Sequence, residues 1–196
     1  RRAVDQRRGL LFRKRRCVRP EKEVSRVDPD KPMVALTFDD GPGPYTDRLL
    51  RCLEENDALA TFFLVGSSVS HYRSTVARAA DMGCEIGNHT WSHPSLTGLS
   101  ADGIRSQMSS TNDAIRQATG KNATLMRPPY GAYNSSVLSC VGVPAILWSI
   151  DTRDWEHRNA DRTVSNVLTQ VKDGDIILMH DIHKATVDAA ERLIPE

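Results

Sequence analysis

The chain of 196 residues carries 26 lysines and arginines against 25 aspartates and glutamates, and 39% of it is hydrophobic. That length suits one domain with at most a short appendage and can bury a sizeable core, while the near-zero net charge gives no overall reason to expect nucleic acid as a partner. No stretch approaches the apolar length that crosses a bilayer, and the opening residues lack a secretion-signal pattern.

The charge is uneven. Residues 1–32 open with the arginine-dense "RRAVDQRRGLLFRKRRCVRP" and continue as a polar linker, "EKEVSRVDPDKP". They read as a basic, poorly packed arm, and residues 33–196 as the domain proper. From Met33 on, short apolar runs alternate with amphipathic stretches. "VALTF" predicts a strand, followed by a helix from Tyr45 to Asn56 with Leu49, Leu50 and Leu53 on one face. "ATFFLV" precedes a helix through Val76 and Ala80. "CEIGN" precedes a helix capped by Ser100, carrying Ile104, Met108 and Ile115, and stopped by Gly120. "TLM" leads through "RPPYG" to a short helix at 135–140. "PAILWSI" precedes a helix bearing Val164, Val167, Leu168 and Val171, and "DGDIILMH" a last helix from Ala185 to Leu193. Six strands alternating with helices predict an α/β fold with a parallel sheet and crossover helices. Cys17, Cys52, Cys84 and Cys140 lack metal-type spacing and are expected to be buried thiols.

In βα units, ligand chemistry gathers where strands end. Five of the six predicted strands end in groups that bind metals, move protons or hold anions: Asp39 with Asp40, Asn88 with His89, Arg127, Asp151, and His180. In "HTWSHP", His89 and His93 have a spacing that can present two imidazoles to one metal, although the same spacing on a helix surface is often mere decoration. The "DD" pair would complete such a site, one carboxylate binding the ion and the other taking a proton from its water. A bare acidic pair also caps helices and shapes turns. Taken alone, "DIILMH" reads as a buried strand ending in a satisfied histidine.

The ordered set "TFDDGP", "HTWSHP", "RPPYG", "DTRDW" and "LMH", spread from Met33 to His183, resembles the NodB-homology polysaccharide deacetylases, carbohydrate esterase family 4. The resemblance implies a distorted, incomplete (β/α) barrel whose members generally add a further strand beyond a point such as "ERLIPE". It implies Asp39 as general base, with Asp40, His89 and His93 holding one divalent metal ion, usually zinc, sometimes cobalt or another. Arg127 offers a permanently charged fork to orient Asp39 and keep it ionised. Because Pro128 and Pro129 lack an N–H, Tyr130 supplies the first free amide after Arg127; the family uses that amide for the oxyanion. Asp154 is expected to tune the catalytic acid His180, and Trp155 and Leu178 to wall the acetyl pocket. Asp151, Asp181 and Asn88 are expected only to support, and His183 to lie outside the ligand set.

The implied activity is metal-dependent removal of acetyl groups from N-acetylglucosamine in peptidoglycan or a chitin-like polysaccharide, in an extracellular or envelope setting. The partner would be an acetylated polysaccharide, with no nucleic acid and no transmembrane segment in this chain. Deacetylation of acetylxylan is the alternative, and a carbohydrate-binding member without turnover is a third; the latter would be expected to lack Asp39 or His180.

Overall fold

The computed structural model describes residues 32–195. The expectations for the basic arm and for Cys17 therefore lie outside the described residues.

Five parallel strands form one sheet: β1 (Ala35–Asp39), β2 (Thr61–Leu64), β3 (Glu85–Asn88), β4 (Ile150–Asp151) and β5 (Ile176–His180), in the order β3-β2-β1-β5-β4. Between them run α1 (Thr46–Glu55), α2 (Gly66–Val69), α3 (Arg73–Met82), α4 (Ala101–Thr119), α5 (Ser135–Val141), α6 (Asp154–His157) and α7 (Ala160–Leu168), and α8 (Lys184–Leu193) follows β5. The helix limits follow the local chemistry. Ser100 accepts the Gly103 amide to open α4, and Gly120 stops it in the left-handed conformation, φ 78°. Asn134 and Asn159 cap α5 and α7 in the same way.

Alternation along the strands separates two environments. Phe38, Phe62, Leu64, Ile177 and Met179 face outward into a core completed by Leu49, Leu50 and Leu53 of α1, Val76 of α3 and Val187 of α8. Thr37, Asp39, Phe63, Leu178 and His180 occupy the alternate positions; the register aligns Asp39 with Phe63 on one side and with His180 on the other. A smaller cluster of Leu96, Ile104, Met108, Met126, Val137 and Val141 packs under α4 and α5.

Two predicted strands are reduced. "TLM" contributes only Met126, bridged in parallel to Asn88 and to Ala145. The ladder cannot extend because Pro128 and Pro129 have no N–H to donate. "PAILWSI" keeps Ala145 as a bridge and only Ile150 as strand, which continues into Asp151, since the carbonyls of Ile146 and Leu147 bond the Arg127 side chain at 3.1 and 2.9 Å instead of a neighbouring strand. These single-residue bridges carry the sheet from β3 through Met126 back to the segment that becomes β4, giving a distorted, incomplete α/β barrel. The helix after "PAILWSI" ends at Leu168, so Val171 lies beyond it, and Leu168 itself is exposed. Cys52 and Cys84 are buried thiols as expected, whereas Cys140 is half-buried.

Candidate active site and metal centre

Asp40 follows β1, His89 follows β3, and His93 lies in the same loop as His89. Their ligand atoms fall within 4.8 Å of one another. Asp40 Oδ1 stands 3.4 Å from His89 Nε2 and 3.2 Å from His93 Nε2, yet it is buried without a hydrogen-bond partner. The tautomer of His89 explains half of this. Its Nδ1 lies 2.7 Å from the Arg127 carbonyl, which can only accept, so Nδ1 carries the proton and Nε2 meets Asp40 with a lone pair. An imidazole lone pair and a carboxylate oxygen repel unless a cation lies between them, and one carboxylate with two imidazoles is a donor set for a divalent transition ion. These residues fit a metal ion.

The loops that aim the three groups are strained and braced. Asp40, Thr90 and His93 have φ of 69°, 68° and 59°, in a region that non-glycine residues seldom occupy, at about 1–3 kcal/mol each. Asn88 supports the histidine loop: its Oδ1 accepts the Thr90 amide at 2.8 Å, and its Nδ2 donates to the Met108 carbonyl and to Asn112 of α4. Gln107 of α4 accepts the Trp91 and Ser92 amides, and the His93 amide donates to Thr90.

Asp39 lies inside the barrel, 3% exposed. Its Oδ1 accepts from Arg127 Nη1 at 2.7 Å, and its Oδ2 lies 3.7 Å from His89 Nε2. Arg127 is fully buried between Phe63, 4.2 Å from the ring centroid, and Trp148, at 5.6 Å, and also donates to Thr37. A Cβ on Gly87 would fall 2.5 Å from Phe63 Cδ1, so the glycine makes room for the ring that supports the guanidinium. Burial raises the Asp39 carboxyl above the ordinary aspartate range, with His89 and then Arg127 pulling it down. The guanidinium holds Asp39 Oδ1 but does not outweigh burial by itself; a cation held by Asp40, His89 and His93 would favour the charged form as well.

Tyr130 has φ 61°, and its exposed ring packs edge-on against His93 at 4.7 Å. Gly131 beside it has φ 64° and lies against Trp148, so one indole underpins both the Tyr130 loop and the Arg127 head.

Across the β1–β5 ladder, His180 Nδ1 lies 2.8 Å from Asp154 Oδ1. Asp154 Oδ2 accepts the His180 amide at 2.8 Å and the Thr186 hydroxyl at 2.6 Å. Burial works against an imidazolium there, but the bond to Asp154 and its charge prevail and bring His180 up to about 9. Leu178 shares the strand face of His180 and is buried; Trp155, in α6, is about half exposed.

Nine of the ten predicted side chains gather around two linked centres: Asp39, Asp40, His89, His93, Arg127 and Tyr130 at one, and His180, Asp154 and Leu178 at the other. Trp155 sits beside Asp154 on the short α6. Asp151 accepts the Arg153 amide, and Asp181 is fully buried and accepts the Thr46 hydroxyl, both supporting as expected. The sequence reading missed Thr37, Phe63, Trp148 and Thr186. Thr37 was open to discovery, because it precedes Asp39 by two strand positions; the others meet their partners only through the topology.

A family profile described as Polysaccharide deacetylase matches residues 26–142. The chain belongs to the polysaccharide deacetylase family. Among its relatives in this family, peptidoglycan-N-acetylmuramic acid deacetylase PdaC of Bacillus subtilis (strain 168) is 43% identical over 176 residues, covering 89% of this chain and 37% of that protein. The solved structure of PdaC superposes with a TM-score of 0.84, covering 86% of this chain and 84% of that one. Peptidoglycan-N-acetylglucosamine deacetylase PgdA of Listeria monocytogenes serotype 1/2a (strain 10403S) is 44% identical over 84% of this chain and 35% of that protein. A chitin deacetylase of Pestalotiopsis sp is 44% identical over 78% of this chain and 54% of the other. The chain spans about a third of the length of PdaC and PgdA. The polysaccharide deacetylase profile ends before "DTRDW" and "LMH", but the PdaC match runs over most of the chain.

Proposed function

We propose that this domain hydrolyses acetamido groups on N-acetylglucosamine residues of peptidoglycan or a chitin-like polysaccharide, releasing acetate and leaving a free amine, at the cell envelope or outside the cell. The observation that carries this reading is the orphaned, buried Asp40 oxygen facing two imidazoles, with Asp39 beside it and His180 across the ladder. The names of PdaC, PgdA and the Pestalotiopsis enzyme support the substrate class.

Asp40, His89 and His93 would hold a divalent ion, zinc by family habit; when bound, it polarises the acetyl carbonyl and acidifies a water. Asp39, steadied by Arg127 and Thr37, accepts the proton of the attacking water on Oδ2. The Tyr130 amide donates to the oxygen on which negative charge develops. Leu178 and Trp155 enclose the acetyl methyl. His180, kept protonated by Asp154, gives its proton to the nitrogen as the carbon–nitrogen bond breaks. No covalent enzyme intermediate is required.

The test is acetate release from chitooligosaccharide, peptidoglycan and acetylated xylan, before and after chelation. Release from the first two that stops on metal removal and returns on metal addition is the expected result. Release that survives complete removal would refute the mechanism. Preference for acetylated xylan would favour ester cleavage, and oligosaccharide binding with no acetate would favour a binding protein.

A further inference from the structure

Beside the candidate acid lies a set of polar groups that the mechanism does not use. A cavity of about 350 Å³ opens between Tyr45, just before α1, Arg158, just after α6, and the segment Ile182, His183, Lys184 and Ala185 that leads from β5 into α8.

Its polar lining is composed of donors. Arg158 donates from Nε to the Trp155 carbonyl at 2.7 Å and from Nη1 to His183 Nδ1 at 3.0 Å. A guanidinium has no acceptor, so His183 Nδ1 receives the bond and the ring proton sits on Nε2, which makes His183 a neutral donor. Burial and the nearby Arg158 charge both press His183 toward that neutral form. Lys184 is already paired with Asp188 at 2.8 Å. Arg158 has no ion-pair partner among the described residues: its two bonds go to neutral acceptors, its backbone is held at φ 48°, and no carboxylate lines the cavity. This cation is therefore tied in place without being neutralised.

The location is equally specific. The His183 ring is 6.3 Å from that of His180, and Arg158 is bonded to the backbone of Trp155. We infer that this cavity is a subsite for a carboxylate carried by the substrate next to the scissile acetamide, with Arg158 as the charged fork and His183 and Tyr45 as neutral donors. The inference rests on the deacetylase reading, which is what puts the acetamide at His180. A guanidinium can grip a carboxylate through two parallel bonds, which adds direction as well as charge. Chitin and acetylated xylose chains offer no such group there. Peptidoglycan does: the muramic acid that flanks each N-acetylglucosamine bears a lactyl carboxylate where no stem peptide is attached, and the stem peptide carries carboxylates where one is. The substrate class indicated is thus an anionic, peptidoglycan-type glycan.

The experiment compares kcat/KM for acetate release by the wild type and R158Q on chitooligosaccharide, on glycan strands stripped of stem peptides, and on strands with stems intact. The wild type is expected to favour a carboxylate-bearing strand over chitooligosaccharide, and R158Q to lower that ratio about tenfold, mainly through KM. R158K should restore part of it, which a merely structural arginine would not require. The strand that shows the drop identifies the source, lactyl or peptide. Tyr45→Phe, at a residue that also lines the cavity, should lower the same ratio about threefold and provides an independent reading if R158Q folds poorly. Acetate released from all substrates with the ratio unmoved in both R158Q and Tyr45→Phe would overturn the subsite alone. No acetate from any substrate with the metal-loaded wild type would overturn the deacetylase reading, and the subsite with it.

Discussion

Replacing Asp154 by Asn removes one charge and almost no volume from a buried position. Asp154 Oδ2 receives two donors, the His180 amide and the Thr186 hydroxyl, so the new carboxamide must keep its oxygen there and turn its NH2 toward His180 Nδ1. That nitrogen then has to accept, and the ring becomes neutral, with its proton on Nε2. In the native protein burial opposes the imidazolium, and Asp154 reverses this and raises His180 from 6.5 to about 9. The folded state binds this proton more tightly than the unfolded chain does, so the stabilisation is complete below about pH 6.5 and lost as pH climbs through about 9. At about 1.36 kcal/mol per unit the gap amounts to about 3 kcal/mol, a sizeable share of an ordinary domain's stability. Urea unfolding of both proteins from about pH 6 to about pH 10 should show the wild type losing about 3 kcal/mol more than the variant. The His180 ring resonance should titrate near 9 in the wild type and below 6.5 in the variant. Parallel stability profiles, or an unmoved His180 titration, would refute the reasoning.

Asp39→Asn should keep its metal, measured by emission spectroscopy, and lose about 10²–10⁴-fold in kcat; wild-type turnover would remove Asp39 from the role of base. Arg127→Met leaves the buried Asp39 carboxylate and two partly buried carbonyls without their partner and should lower the urea-derived stability by about 3–5 kcal/mol, whereas a loss below about 1 kcal/mol would mean that the barrel interior tolerates an unpaired acid. Gly87→Ala places a methyl 2.5 Å from Phe63 Cδ1 and 2.7 Å from Leu125 Cδ1, and should cost about 1–3 kcal/mol, seen as a lower Tm.

The helices were legible because their apolar faces repeat at helical spacing and their ends carry the residues that satisfy free backbone groups: Ser100 and Gly120 bracket α4 where expected. The polar strand ends were legible because the βα arrangement brings them to one rim. The fourth predicted strand is cut short by Pro128 and Pro129; the length of the fifth was not legible, because Arg127, fixed by the topology rather than by its neighbours, takes carbonyls that a ladder would have used. Thr186 and Arg158 escaped notice for a related reason. Their partners, Asp154 and His183, are 32 and 25 residues away, and no local pattern marks a contact at that separation.

Arg127 spans the thinnest part of the barrel wall and also aims the interior acid. Exchanging the stretch from 127 to 148 for that of another protein would disturb fold integrity and turnover together. Tyr45 and Arg158, at the start of α1 and the end of α6, bear neither duty, which leaves them as the place where a taste for one polymer can change while the chemistry stays as it is.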